Sequence, residues 1–130
     1  MYNGTKFFKV IQNFGIFGGD TVNNDGTNGE SYYGMCFRDE YMELTHDSPY
    51  LVSTVKPGNT PDTNNSQFMI TMSQLLWLDY RYEVFGRLSN NSFALADRIQ
   101  TVAATQGWSQ NLPPNADVKI VSCTTVNPHP

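Results

Sequence analysis

The chain is poor in the groups that build metal and redox sites. Its 130 residues hold two cysteines, Cys36 and Cys123, and two histidines, His46 and His129. The cysteines show no CxxC spacing and the histidines form no ligand cluster with them. A zinc site is therefore disfavoured, buried free thiols are the expectation, and neither metal nor cofactor is expected. Positive charge is also sparse. Eight Lys and Arg are scattered among twelve Asp and Glu, for a net charge of -4 and a pI near 4.9. Without a basic run, a nucleic-acid or anionic-membrane surface is disfavoured. No apolar run approaches membrane-spanning length. Met1-Tyr2-Asn3-Gly4 is neither a signal nor an Arg-rich transit peptide, so an intracellular place, cytoplasm or organelle lumen, is favoured. Three Asn-x-Ser/Thr triplets, beginning at Asn3, Asn64 and Asn90, then read as chance in an Asn-rich chain.

What is present is an ordinary globular composition, 39% hydrophobic and 13% aromatic, long enough for one domain with a real core. Residues 1–130 read as a single domain, with 126–130 a frayed tail. Strand candidates are short: Phe7 to Ile11, Phe14 to Phe17, Leu51 to Val55, Glu83 to Leu88, and Val118 to Cys123. Alternation puts Phe7, Lys9 and Ile11 on one face of the first, and Phe8 and Val10 on the other. Asp25-Gly26 and Asn28-Gly29 mark turns in an ordered surface loop. Leu75-Leu76-Trp77-Leu78-Asp79 suggests a single helical turn. One helix is predicted from Phe93 to about Ala103, with Ser92 as N-cap and Leu95, Ile99 and Val102 as a core-facing stripe. Gly107, Pro113 and Pro114 bound a loop. Many short strands with helical caps suggest a β-barrel or sandwich.

The most informative run is Asn64-Asn65-Ser66-Gln67-Phe68-Met69-Ile70-Thr71. It reads as a strand entered from a Pro-, Gly- and Asn-rich loop. Gln67, Met69 and Thr71 fall on one face, Phe68, Ile70 and Met72 on the other. A fixed amide beside a soft apolar side chain suits a groove that holds backbone and a small apolar ring together.

Several motifs in order resemble the cyclophilins, the cyclosporin-binding prolyl isomerases. Phe7-Phe8-Lys9-Val10-Ile11-Gln12-Asn13-Phe14 is similar to the family's F-H-R-V-I-P-x-F, and Ile16-Phe17-Gly18-Gly19-Asp20 to its I-Q-G-G-D. Asp25-Gly26-Thr27, Tyr33-Gly34 and Phe37-Arg38-Asp39-Glu40 follow in family order. Asn64 to Phe68 resembles N-x-S-Q-F, and Trp77-Leu78-Asp79 and Val84-Phe85-Gly86 resemble the W-L-D and V-F-G that come next. The resemblance covers residues 2 to about 124. It implies a mainly β fold, an antiparallel cyclophilin-like barrel with a helical cap. It also implies that the family's first two strands and first helix have no counterpart in this chain, so that either the missing portion lies outside this sequence, which is then truncated, or neighbouring chains of an assembly, the favoured expectation, close the barrel.

The resemblance further implies peptidyl-prolyl cis-trans isomerisation, in which an amide rotation barrier of roughly 18–20 kcal/mol is lowered. In the family an Arg donates to the prolyl nitrogen, a Gln and nearby backbone hold the peptide, and an apolar pocket grips the ring. Carried onto this chain, the Arg position is Lys9, which keeps charge but loses the planar fork. Gln67 remains. The proline pocket and peptide-binding positions are Phe14, Phe17 (where the family has Gln), Met69 (for Phe), Trp77, Leu78 and Tyr82 (for His). Gly15 replaces a pocket Met, which implies a lost pocket wall. The loop from Lys56 to Asn59 is about two residues longer than the family's. The expectation is a groove kept for a Pro-containing segment but eroded for catalysis, in a structural or binding subunit of a larger assembly. The alternative is a weak isomerase.

Overall fold

The structure, a computed structural model, describes residues 2–31, 36, 38–39, 44–56, 62–108, 110–113 and 116–124. The expectations for Tyr33-Gly34, Phe37, Glu40, the loop insertion after Lys56, Pro114 and the 126–130 tail lie outside these residues.

Short aromatic and β-branched runs become strands wherever alternation can bury one side against each face of a sheet. Five do so: β1 (Lys9–Ile11), β2 (Gly15–Gly18), β3 (Leu51–Thr54), β4 (Phe68–Thr71) and β5 (Val84–Arg87). They form one antiparallel sheet in the order β1-β2-β4-β3-β5. A helix, α1 (Phe93–Thr105), follows, and a 3-10 turn, Leu76–Leu78, lies between β4 and β5. The fold is therefore mainly β, as the motifs imply.

The sheet separates two cores. On one face Val10, Ile16, Ile70 and Met72 pack with Ala96 and Ala103 of α1. On the other, Phe8, Phe17, Met69, Leu75 and Leu78 pack together, flanked by Ile11, Phe14, Val55 and Tyr82. The helix covers the first face, and the second carries the cavity. The β4 alternation is as read from the sequence: Phe68, Ile70 and Met72 face the helix side, and Met69 the cavity side.

The β1 alternation is not. Phe7 joins the helix-side core and Phe8 the cavity side, together with Ile11. The cause is an irregular entry to the strand. Phe8 donates to the Phe17 carbonyl at 3.0 Å, while Lys9 is itself in register with Phe17. Two residues thus oppose one, and the period slips there.

The helix stripe also needs correction. Leu95 is 59% exposed, whereas Ala96 and Ala103 are buried and Ile99 packs beside them. Phe93 stacks on Tyr50 with centroids 4.2 Å apart, which sets the helix's rotation and brings its small residues onto the sheet. Ser92 stands at the N-cap position but its hydroxyl makes no capping bond. It contacts Ser89 Oγ at 3.2 Å, and a 3-10 turn, Asn90–Ser92, leads directly into the helix. The C-terminus closes as a Schellman motif. Gly107 has φ +69, Trp108 donates to the Ala103 carbonyl at 3.1 Å, and Gly107 to Ala104 at 3.1 Å.

The last predicted strand is an extended segment instead. It meets the chain start through the single bridge Lys6–Lys119 and through bonds such as Phe7 to the Val118 carbonyl at 2.9 Å. The thiols are free but exposed rather than buried, because Cys36 and Cys123 both lie outside the strands and helix. Among the described residues no strand pairs with the outer edge of β5, and Phe85 on that strand is 59% exposed. No helix among them is long and apolar enough to cross a membrane.

Candidate functional site

A cavity of about 820 Å³ opens on the face of the sheet opposite α1. Its shape is fixed by three hydrogen-bonded devices.

The first is Asp20, fully buried. Its carboxylate accepts backbone N–H groups from Val22 and Asn23 on one oxygen, and from Asp25, Gly26 and Asn28 on the other, at 2.8–3.3 Å. Burial alone raises the carboxyl pKa, but the Asn23, Val22, Asn28 and Asp25 donors outweigh it and hold the group below its ordinary value. The loop after β2 is thereby wound around one charge.

The second device is the run Asn64 to Gln67, in which each side chain fastens a different segment. Asn64 donates to Asp39 at 2.7 Å, and Asn65 accepts the Gln67 N–H at 2.8 Å. Ser66 donates to the Gly19 carbonyl at 2.6 Å and accepts from the Glu30 N–H at 2.9 Å. Gln67 donates both amide hydrogens to backbone carbonyls, Gly26 at 3.0 Å and Asn28 at 2.6 Å. Gly19 has φ +92, and a Cβ there would collide with the Ser66 carbonyl, so this crossing requires glycine.

The third device holds the 3-10 turn. His46 is fully buried; its Nδ1 lies 2.8 Å from Asp79 Oδ1 and its Nε2 2.7 Å from Ser53 Oγ. Its backbone N–H reaches the same Asp79 oxygen at 2.7 Å. An ionised carboxylate only accepts, so the Nδ1 hydrogen points at Asp79, while Ser53 Oγ lies between Nε2 and the Glu83 carbonyl, 3.2 Å away. The Asp–His–Ser order is that of a nucleophilic triad, but His46 and Ser53 are closed to solvent and do not line the cavity. The arrangement ties Asp79, and with it Trp77 and Leu78, to β3.

All eight residues singled out from the sequence line the cavity: Lys9, Phe14, Phe17, Gln67, Met69, Trp77, Leu78 and Tyr82. Phe14 and Phe17 stack with centroids 6.2 Å apart, and Trp77 lies 6.2 Å from Phe14. The Lys9 ammonium sits over the Phe17 ring, 5.3 Å from its centroid. Burial pushes the Tyr82 hydroxyl pKa up, partly countered by Arg81.

The wall expected to be lost at Gly15 is occupied. A Cβ on Gly15 would lie 2.7 Å from both Cγ and Sδ of Met69, so the Met69 side chain fills the space that Gly15 vacates. Sequence reading treated the lost wall at Gly15 and the Met69 replacement as separate; the Gly15–Thr71 and Phe17–Met69 register of β2 on β4 makes them one exchange of volume.

The sequence reading missed Lys56, Asp39, Tyr80 and Arg81, which also line the cavity. Lys56 is only 6% exposed; its ammonium pairs with Asp39 at 3.1 Å and lies 5.2 Å from the Tyr82 ring centroid. Burial raises the Asp39 carboxyl, but Asn64 and Lys56 outweigh it and bring it below the usual range. Lys56 closely follows β3, a position from which a side chain reaches the groove, and that placement was the available signal.

Comparison with known proteins agrees with the motifs. A family model described as cyclophilin type peptidyl-prolyl cis-trans isomerase/CLD matches residues 1–125. The chain is similar to the peptidyl-prolyl cis-trans isomerase D of Mycosarcoma maydis, with 39% identity over 124 residues. That match covers 94% of this chain and 29% of that protein, so the chain spans under a third of the length of its relative.

Proposed function

Because the chain belongs to the cyclophilin-type peptidyl-prolyl cis-trans isomerase family, we propose that its cavity holds a proline-bearing peptide segment and that binding, more than turnover, is its role. One observation carries this reading. Phe14, Phe17, Met69, Trp77 and Leu78 line the cavity together, while Gln67 has both amide donors engaged by the loop at Gly26 and Asn28. The apolar lining suits a proline ring, but the amide beside it supports the protein's own backbone. The domain would grip a proline ring and supply little directed charge to a twisted amide.

The second reading, a weak isomerase, is favoured by Lys9. Its ammonium lines the same cavity and is held above Phe17, a placement from which it can donate to a prolyl nitrogen. As a hydrated point donor it lacks the fork that orients a guanidinium.

Titration of a short capped Ala-Pro peptide, followed by NMR together with cis–trans exchange, separates the two. Binding without faster exchange supports the module. Acceleration that vanishes in Lys9→Ala supports the isomerase. No binding at millimolar peptide overturns both.

The same proposal extends to partners. The edge of β5 that no described strand pairs with, with Phe85 exposed, supports a role within a larger assembly in which neighbouring backbone covers that edge. A purified chain that melts cooperatively as a soluble monomer would count against this part.

A further inference from the structure

The groove's electrostatics run opposite to the protein's. The chain carries a net charge of -4. Yet the cavity is lined by Lys9, Lys56 and Arg81, with Asp39 the one carboxylate among the described lining residues. Asp39 is spent on Lys56, at 3.1 Å, and is also held by Asn64. Among the described residues neither Lys9 nor Arg81 has a carboxylate within ion-pairing distance. Two positive charges on the cavity lining thus have no carboxylate partner among the described residues.

Their positions are informative. Lys9 belongs to β1, at one edge of the sheet. Arg81 follows the 3-10 turn and precedes β5, the strand at the other edge. The Arg81 N–H is anchored on the Leu78 carbonyl at 3.1 Å, and Lys9 is pinned over Phe17. The two cations therefore reach the cavity that Phe14, Met69 and Trp77 line from separate elements, Lys9 from β1 and Arg81 from the segment after the 3-10 turn. Low-dielectric walls strengthen such fields, and opposite charge on a ligand gains both association rate and selectivity.

We infer that the groove selects proline segments flanked by acidic residues, with carboxylates meeting Lys9 and Arg81. This rests on the reading of the cavity as a proline-segment groove and adds the class of segment it takes.

The test uses three capped peptides of equal length with Glu-Pro-Glu, Ala-Pro-Ala and Lys-Pro-Lys at their centres, titrated into the full chain. At low salt the Glu-flanked peptide is expected to bind about tenfold more tightly than the Ala-flanked one, and the Lys-flanked one most weakly. The gap should close in about 0.5 M salt, where the screening length falls to a few ångströms. It should also close in the Lys9→Met/Arg81→Met double variant, with circular dichroism confirming its fold. Equal binding of the Glu- and Ala-flanked peptides overturns the charge selection and leaves the groove reading standing. A Glu preference that survives in the double variant also overturns it. Failure of all three peptides to bind overturns both.

Discussion

Replacing Gly15 with alanine adds one methyl group where there is no room for it. The new Cβ would stand 2.7 Å from two atoms of the Met69 side chain and 3.3 Å from the Ile70 carbonyl oxygen. Ordinary carbon contacts lie at about 3.5–4.0 Å, so Met69 must move by roughly 1 Å or leave its rotamer. Met69 is only 3% exposed and packed among Phe8, Phe17, Leu75 and Leu78, which leaves it few places to go. Overpacking of this kind costs about 1–3 kcal/mol. For a chain of this size that corresponds to a melting-temperature loss of roughly 3–12 °C. Met69→Ala alone costs about 2–5 kcal/mol through the cavity it opens. If the two residues share one volume, the double variant recovers part of the loss. Its total loss should fall about 1–2 kcal/mol short of the sum of the single losses. Urea denaturation of the four proteins at 25 °C measures this directly. Single effects that add within about 0.5 kcal/mol would refute the shared-volume argument.

His46→Ala should lower stability by about 3–5 kcal/mol, since it opens a cavity and leaves Asp79 and Ser53 short of buried partners. The check is the urea midpoint; a loss under about 1 kcal/mol would contradict the locking role. Asp20→Asn removes the charge that collects five backbone N–H groups and should cost about 2–4 kcal/mol at neutral pH. Because folding lowers the Asp20 pKa, its contribution is complete above the unfolded value of about 3.9 and fades as pH falls through the folded one. The stability gap between wild type and Asp20→Asn should therefore narrow below about pH 4, and a gap constant down to pH 2 would be inconsistent with this account. Lys9→Arg restores a planar fork over the cavity and should raise cis–trans exchange of an Ala-Pro peptide by about tenfold or more if Lys9 is a donor at all. An unchanged rate would assign Lys9 to binding alone.

The sequence made the strands and the groove walls legible because period-two patterning and fixed motifs report which face a residue takes. Leu51 to Val55 and Glu83 to Leu88 are strands within a residue or two at their ends. Where local geometry departs from the ideal period, the reading failed. Two residues facing Phe17 reverse the side of Phe8, and the Phe93–Tyr50 stack turns Leu95 outward. Contacts between distant segments were not legible at all. Nothing near Gly15 announces that Met69 fills its space, and nothing near Lys56 announces Asp39, because such pairs are set by sheet register and loop path. The same blindness made Gln67 look like a ligand-facing amide, although the carbonyls of Gly26 and Asn28, some forty residues earlier in the chain, take both its hydrogens.

The turn between β1 and β2 carries Phe14 to the rim of the cavity, and a helix on the far side of the sheet holds it. Gln100 of α1 accepts the Asn13 N–H on its Oε1 at 2.6 Å, and its carbonyl receives the Gln12 side-chain amide at 3.0 Å. Asn13 has φ +59, so the turn is held in the left-handed region with these bonds in place. The rim therefore shares the fate of the helix in local opening. In hydrogen exchange the Asn13 amide should be released together with the second half of α1, not with its own strands. A contact made on the helix face would then be felt as slackness or firmness at the mouth of the groove.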